Sequence, residues 1–228
     1  MKTSSAVDLS VTNSGNQHTG TIDAPAEITD DVVTAYEENI PGSKYVQSED
    51  SGNGPSTVVY IPRNGGSYSV TVQGNSVGTF DMSVDIVKGD KVIDSVHYDA
   101  IPVLPTTLAS TTITTLGSTL SSSTPLAVDI SGNGTSTFSV IPGSVPDPVL
   151  YFEVLKKGLD NIDSSSRMKS IFNRIDGIEG RIRSGKKLPY HNDEYIAQNM
   201  RHRKLWKLSS DDRSKIIDML DRFVSQFE

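Results

Sequence analysis

From residue 7 to residue 142 apolar and polar side chains alternate in short runs, so that one face of each run meets a core and the other meets water. Residues 7–12, 57–61, 68–73, 79–87, 92–98, 107–116, 126–130 and 137–141 carry this period-two pattern and are the predicted strands. Turn residues separate them. Asn64-Gly65-Gly66 supplies positive φ, Lys88-Gly89-Asp90 closes a hairpin, and Pro102 and Pro105 bracket a crossing or a sheet edge. Residues 24–56 are less regular and read as a long loop with one short strand near residues 44–47.

At Pro146-Asp147-Pro148 the pattern breaks, and from Tyr151 onward the apolar spacing becomes helical. Phe152, Leu155, Leu159 and Ile162 form one stripe, and Met168, Ile171, Phe172, Ile175, Ile178 and Ile182 a second. A weaker helix runs over about residues 192–207. The last begins at Ser209 as N-cap, with Asp211 and Asp212 in its first turn, and carries Ile216, Ile217, Leu220, Phe223, Val224 and Phe227. The predicted architecture is mainly β with α: an antiparallel β-sandwich over residues 6–145, then a small helical bundle or hairpin over residues 149–228.

Charge sharpens this division. Residues 1–150 hold 5 Lys and Arg against 16 Asp and Glu, whereas residues 151–228 hold 16 against 12. Halves of opposite sign point to separate modules, or to modules that dock on each other. Cysteine is absent, which excludes thiol catalysis, disulfides and cysteine-rich zinc sites. No run approaches the roughly 18 consecutive apolar residues of a membrane helix, so no membrane span is expected. The N-terminal residues lack an apolar leader core, and the natural start is expected upstream. Ser, Thr, Gly and Asn richness in the first two thirds is the composition of exported β domains that fold without disulfides.

Three motifs carry candidate chemistry. Gly74-Asn75-Ser76-Val77-Gly78 spells the nucleophile elbow of α/β-hydrolases, but that chemistry requires a strand, a strained turn and a helix. Here the motif lies between two predicted strands, and a β-turn accounts for it. Asp129-x-Ser131-x-Asn133-Gly134 has the opening spacing of a calcium loop, with oxygens at its first, third and fifth positions and a glycine at the bend. Val140 stands where such a loop would place a bidentate glutamate, and the competing reading is a self-capped Gly-Asn turn. Its echo at Glu49-x-Ser51-x-Asn53-Gly54 belongs to a short internal repeat: residues 51–62 and 131–142 agree at eight of twelve positions. The third motif is a basic set, Arg181, Arg183, Lys186, Lys187, Arg201, Arg203, Lys204 and Trp206, suited to an anionic polymer or surface. Glu179, Asp193 and Glu194 interrupt it, which favours ordinary exposed helix faces over nucleic-acid binding.

The runs VDLSVTNSGNQHTG (residues 7–20), IPGSKY (40–45), VVYIP followed by GSYSVTV (58–72) and GTFDMSV (78–84) together resemble the accessory β domain that follows the catalytic domain in exported bacterial lipase-like α/β-hydrolases and related surface proteins. Residues 126–138 with the helical tail resemble the acid-rich turn and helical end that close such chains, with Ser131 and Asn133 standing where that turn carries Asp. The resemblance implies a non-catalytic accessory or interaction module of a larger exported protein, extracellular or at the cell surface. It would aid binding of substrate, a cell-surface polymer or a protein partner, such as an upstream catalytic domain. The competing reading is a fragment of a lipase or esterase whose catalytic domain lies upstream. No catalytic residue is expected in the chain, and calcium at Asp129, Ser131 and Asn133 is the one candidate cofactor.

Overall fold

The computed structural model describes residues 1–4, 7–22, 35–48, 56–62, 66–75, 78–116, 119–121, 124–144, 146–162 and 169–184. The chain divides into two compact units, Met1–Pro146 and Asp147–Glu228.

The first unit is built of two antiparallel sheets. One contains, in spatial order, β5 (Lys44–Ser48), β6 (Ser56–Tyr60), β1 (Lys2–Ser4), β8 (Gly78–Lys88) and β9 (Lys91–Val103). The other runs β13 (Phe138–Val140), β12 (Leu126–Asp129), β10 (Leu108–Leu116), β7 (Gly66–Gly74), β2 (Val7–Asn13), β3 (His18–Ile22) and β4 (Ala35–Glu38), with β11 (Thr119–Ser121) paired to the far end of β10. Alternation fixes which side is buried. Leu9 and Val11 on β2, Val70 and Val72 on β7, and Phe80, Met82 and Val84 on β8 are all buried, while their odd-register neighbours face outward. Burial of these β-branched and aromatic side chains between the two inner faces is the main stabilising term of a sandwich.

The architecture agrees with the expected sandwich, but several elements do not. Residues 24–56 are not one long loop: β4 lies within them, and β5 is the short strand expected near residue 44. Strands β1 and β3 fall where none was expected. Gly20 explains the second omission: a glycine reads as a strand breaker, yet a Cβ there would stand 2.4 Å from Leu9 O, so close approach of β2 requires it. Pro102 sits on β9, an edge strand, where a missing amide costs no ladder bond to a further strand.

In the second unit α1 (Pro148–Ile162) opens on Asp147, whose Oδ1 accepts the amide of Val149 at 2.9 Å and whose carbonyl oxygen accepts that of Leu150 at 2.9 Å. Pro148 occupies the first helical turn, where its missing N–H costs nothing. Phe152, Leu155 and Leu159 are buried, as the predicted stripe requires, and so is Ile175 on α2 (Lys169–Arg183). The two further predicted helices lie outside the described residues. Among the described residues no helix is long and apolar enough to cross a membrane.

Candidate functional site

Polar chemistry concentrates on the outer face of the β8–β9 hairpin. The two-residue turn at Gly89-Asp90 pairs Lys88 with Lys91 and Val87 with Val92, then a bulge shifts the register so that Ile86 pairs Asp94 and Asp85 pairs Ser95. Ser83 stands opposite His97 on the same face. Four side chains meet there. Ser83 Oγ donates to Asp85 Oδ2 at 3.1 Å, Ser95 Oγ donates to Asp85 Oδ1 in a very short bond, and His97 Nε2 lies 2.7 Å from Ser95 Oγ.

A serine, a histidine and an aspartate are thus in contact, and the proton count decides what they can do. A carboxylate only accepts, so the single hydroxyl proton of Ser95 is directed to Asp85. His97 Nε2 must then carry its own hydrogen and donate to Ser95 Oγ. A catalytic serine needs the opposite arrangement, with the imidazole accepting the hydroxyl proton and the carboxylate holding the other ring nitrogen. The sequence reading missed this cluster, because a hairpin without the bulge places Asp85 opposite Asp94.

The Gly-x-Ser-x-Gly motif joins β7 to β8, with no helix after it. Ser76 lies outside the described residues. Gly74 has a structural role of its own: its amide donates to Thr107 O at 2.8 Å, and a Cβ there would stand 1.9 Å from Leu104 O.

The candidate calcium loop follows β12. Asp129 is buried, and its Oδ1 accepts the amides of Ser131 at 3.0 Å and Gly132 at 2.9 Å while Oδ2 accepts that of Gly134 at 2.7 Å. Asn133 Oδ1 accepts the Thr135 amide at 2.9 Å. Gly132 and Gly134 have φ of 63° and 85°, which aims successive amides at the carboxylate. The loop is an anion nest whose anion is the protein's own side chain, and a calcium ion would have to share oxygens already engaged. Of the echo, Glu49, Ser51, Asn53 and Gly54 lie outside the described residues.

Of the basic set, Arg181 and Arg183 are exposed at the end of α2. Arg183 is engaged, its Nη2 lying 2.8 Å from Glu179 Oε1. Lys186, Lys187, Arg201, Arg203, Lys204 and Trp206 lie outside the described residues.

A cavity of about 590 Å³ opens between the sheets, at the end where β6 stops, β7 starts and the β8–β9 and β10–β11 hairpins turn. Its inner walls are Val59, Val84 and Ile86 from one sheet and Tyr68 and Ile113 from the other, all buried. Thr115 and Leu120, a cross-strand pair, stand at its mouth. The sequence holds no signal for this space, because its volume depends on how two faces meet.

No family model, curated protein or solved structure matches this chain.

Proposed function

We propose that the chain is a non-catalytic interaction module of a larger exported protein, its β unit serving to hold a ligand or partner. The observation that carries this reading is the contact of Ser95 Oγ with Asp85 Oδ1 on one side and His97 Nε2 on the other. The one serine in contact with both a histidine and a carboxylate among the described residues has a carboxylate on its own oxygen to take its hydrogen, which supports a structural bond over activation of Ser95 by His97. The Asp129 carboxylate is likewise committed, to three backbone amides. Among the described residues the β unit also offers shape and apolar surface for recognition. On the same reading Arg181, Arg183 and the basic residues after them serve an anionic partner, and calcium at Asp129, Ser131 and Asn133 would be a weakly held accessory ion sharing oxygens that already accept backbone amides.

The test is hydrolysis of p-nitrophenyl esters of short and long acids by the intact chain, beside the Ser95→Ala and Ser76→Ala variants. The expected result is the same background rate in all three. A saturable rate lost in either variant would overturn the proposal.

A further inference from the structure

The cavity between the sheets is not an incidental gap. Inner faces of a sandwich ordinarily interdigitate across about 10 Å, and unfilled apolar volume forfeits contacts on every wall. Here the faces part over about 590 Å³, within the range of small-molecule sites and room for roughly twenty water-sized volumes at about 30 Å³ each.

The lining sets the chemistry of the occupant. Strand alternation puts Val84, Ile86 and Ile113 inside, and it turns the charged residues at the wall outward: Lys2 pairs with Ser83, and Asp85 with Ser95, in the outward register. The Met1 nitrogen donates to Val59 O at 2.8 Å. Among the described residues no side chain of the inward set presents a charge that could balance one on a ligand, and an unpaired buried charge is costly. Among the described lining residues Tyr60, at the exposed rim, Tyr68 and Thr115 carry hydroxyls. Tyr68 donates to Pro62 O at 3.3 Å and keeps its acceptor capacity, and Thr115 Oγ1 stands at the mouth with one long bond, 3.5 Å, to Gly66 O. At the rim Tyr60 and Val87 are 57% and 54% exposed, apolar surface that a ligand entering the mouth would cover.

We infer that this cavity is a binding site for a neutral amphiphile of about twenty heavy atoms or fewer, an aliphatic or aromatic body carrying a hydroxyl-type head toward Tyr68 and Thr115. This assignment stands whether or not the chain proves catalytic, since the inward walls, Val59, Tyr68, Val84, Ile86 and Ile113, lie outside the Asp85, Ser95 and His97 cluster, and Asp85, which also borders the cavity, stands in the outward register.

The probe is N-phenyl-1-naphthylamine, a neutral fluorophore, titrated into the full chain and displaced by decan-1-ol, decanoate or decyltrimethylammonium. The site predicts saturable enhancement at one probe per chain, displaced by decan-1-ol about tenfold or more better than by either ion. Thr115→Trp fills the mouth from β10, and Leu120→Trp fills it from β11. Either variant, with wild-type circular dichroism, should weaken the probe by about tenfold or more. Absence of saturable binding, equal displacement by the charged competitors, or wild-type affinity in a folded tryptophan variant would each overturn the assignment. Should neither variant fold, the competitor series in the wild-type chain decides alone.

Discussion

Tyr98 Oη donates to the carbonyl oxygen of Thr124 at 2.7 Å, tying β9 of one sheet to the segment that leads into β12 of the other. The same carbonyl accepts Thr111 Oγ1 at 3.0 Å, so one backbone oxygen serves both sheets. The Tyr98 ring is fully buried, and burial raises its phenol above the ordinary range, the Thr111 bond opposing. Ring and hydroxyl can be separated experimentally. Tyr98→Phe keeps the ring and leaves Thr124 O bonded to Thr111, and is expected to cost about 1 kcal/mol. Tyr98→Ala opens a cavity and is expected to cost about 3–5 kcal/mol. Urea unfolding of both variants checks the pair, and equal losses would show that the hydrogen bond, not the packing, secures the sheets.

The Asp129 nest gives a second prediction. Asp129→Ala leaves three loop amides without their acceptor, and a loss of about 2–3 kcal/mol is expected because the acceptor is charged and buried. Asn133→Ala removes one exposed bond to Thr135 and should cost under about 1 kcal/mol. With one carboxylate, calcium affinity is expected no tighter than about 1 mM, the weak end of extracellular modules. Calorimetric titration of the wild type and of Asp129→Asn measures it. Micromolar binding would show that the loop reopens around the ion.

How far this site was legible follows from individual residues. The letters Asp129-x-Ser131-x-Asn133-Gly134 were visible, but which way the carboxylate turns depends on Gly132 and Gly134 adopting positive φ in sequence. The turn at Gly89-Asp90 was visible as well. The bulge beyond it was not, since no residue type marks Ile93 as the extra position, and a one-residue shift decides whether Asp85 faces Asp94 or Ser95. Strand β1 spans only Lys2–Ser4, too short for alternation to register, and is held by pairing on both sides, with β6 and β8. Periodicity reported the long strands because their faces are set locally. The cluster and the cavity were silent because register and sheet separation are tertiary properties.

A third prediction concerns Asp8, half-buried on β2 opposite Gln73. Burial pushes its carboxyl above the ordinary value of 3.8, and a hydrogen bond with Asn75 opposes the shift. A raised folded pKa means that the folded chain binds the proton more tightly, so stability falls as pH rises through that window and stays lower above it. Asp8→Asn removes the charge and should raise the melting temperature at pH 7 by about 1–2 °C, solvent screening keeping the effect small. The advantage should fade as pH falls through the raised value and vanish below 3.8, where the wild-type carboxyl becomes protonated in both states. Scanning calorimetry between pH 3 and pH 7 checks this, and a difference independent of pH would assign the effect to packing.

The last prediction follows the ion cluster of the second unit. Lys156 on α1 meets Asp176 in a very short contact and Glu179 at 2.7 Å, both on α2, and Glu179 also holds Arg183 at 2.8 Å. Glu179 and Lys156 are only 14% and 28% exposed, so their pairing is less screened than an ordinary surface bridge. For Glu179 the Lys156 hydrogen bond is the largest influence and lowers its pKa, burial opposes, and Arg183 adds to the lowering; the net is a value below 4.5. That contribution is present above pH 4.5 and is lost as pH falls through the lowered value, because the unfolded chain then binds the proton more tightly. For Lys156 burial is the largest single influence and acts downward, but the hydrogen bonds and charges of Asp176 and Glu179 together outweigh it, and the net is a value above 10.5. Its contribution is complete below pH 10.5 and is lost as pH rises through the raised value. Helix stability followed at 222 nm should therefore hold a plateau between these limits and decline on both sides. Glu179→Gln should remove most of the acid limb and cost about 1–2 kcal/mol at pH 7. Lys156→Met should cost a similar amount by leaving Glu179 with Arg183 alone. The double variant should lose about 1 kcal/mol less than the sum of the singles, because the second change removes a group already unpartnered. Strict additivity would show that Lys156 and Glu179 are not coupled and that their contact does not help to hold the two helices together.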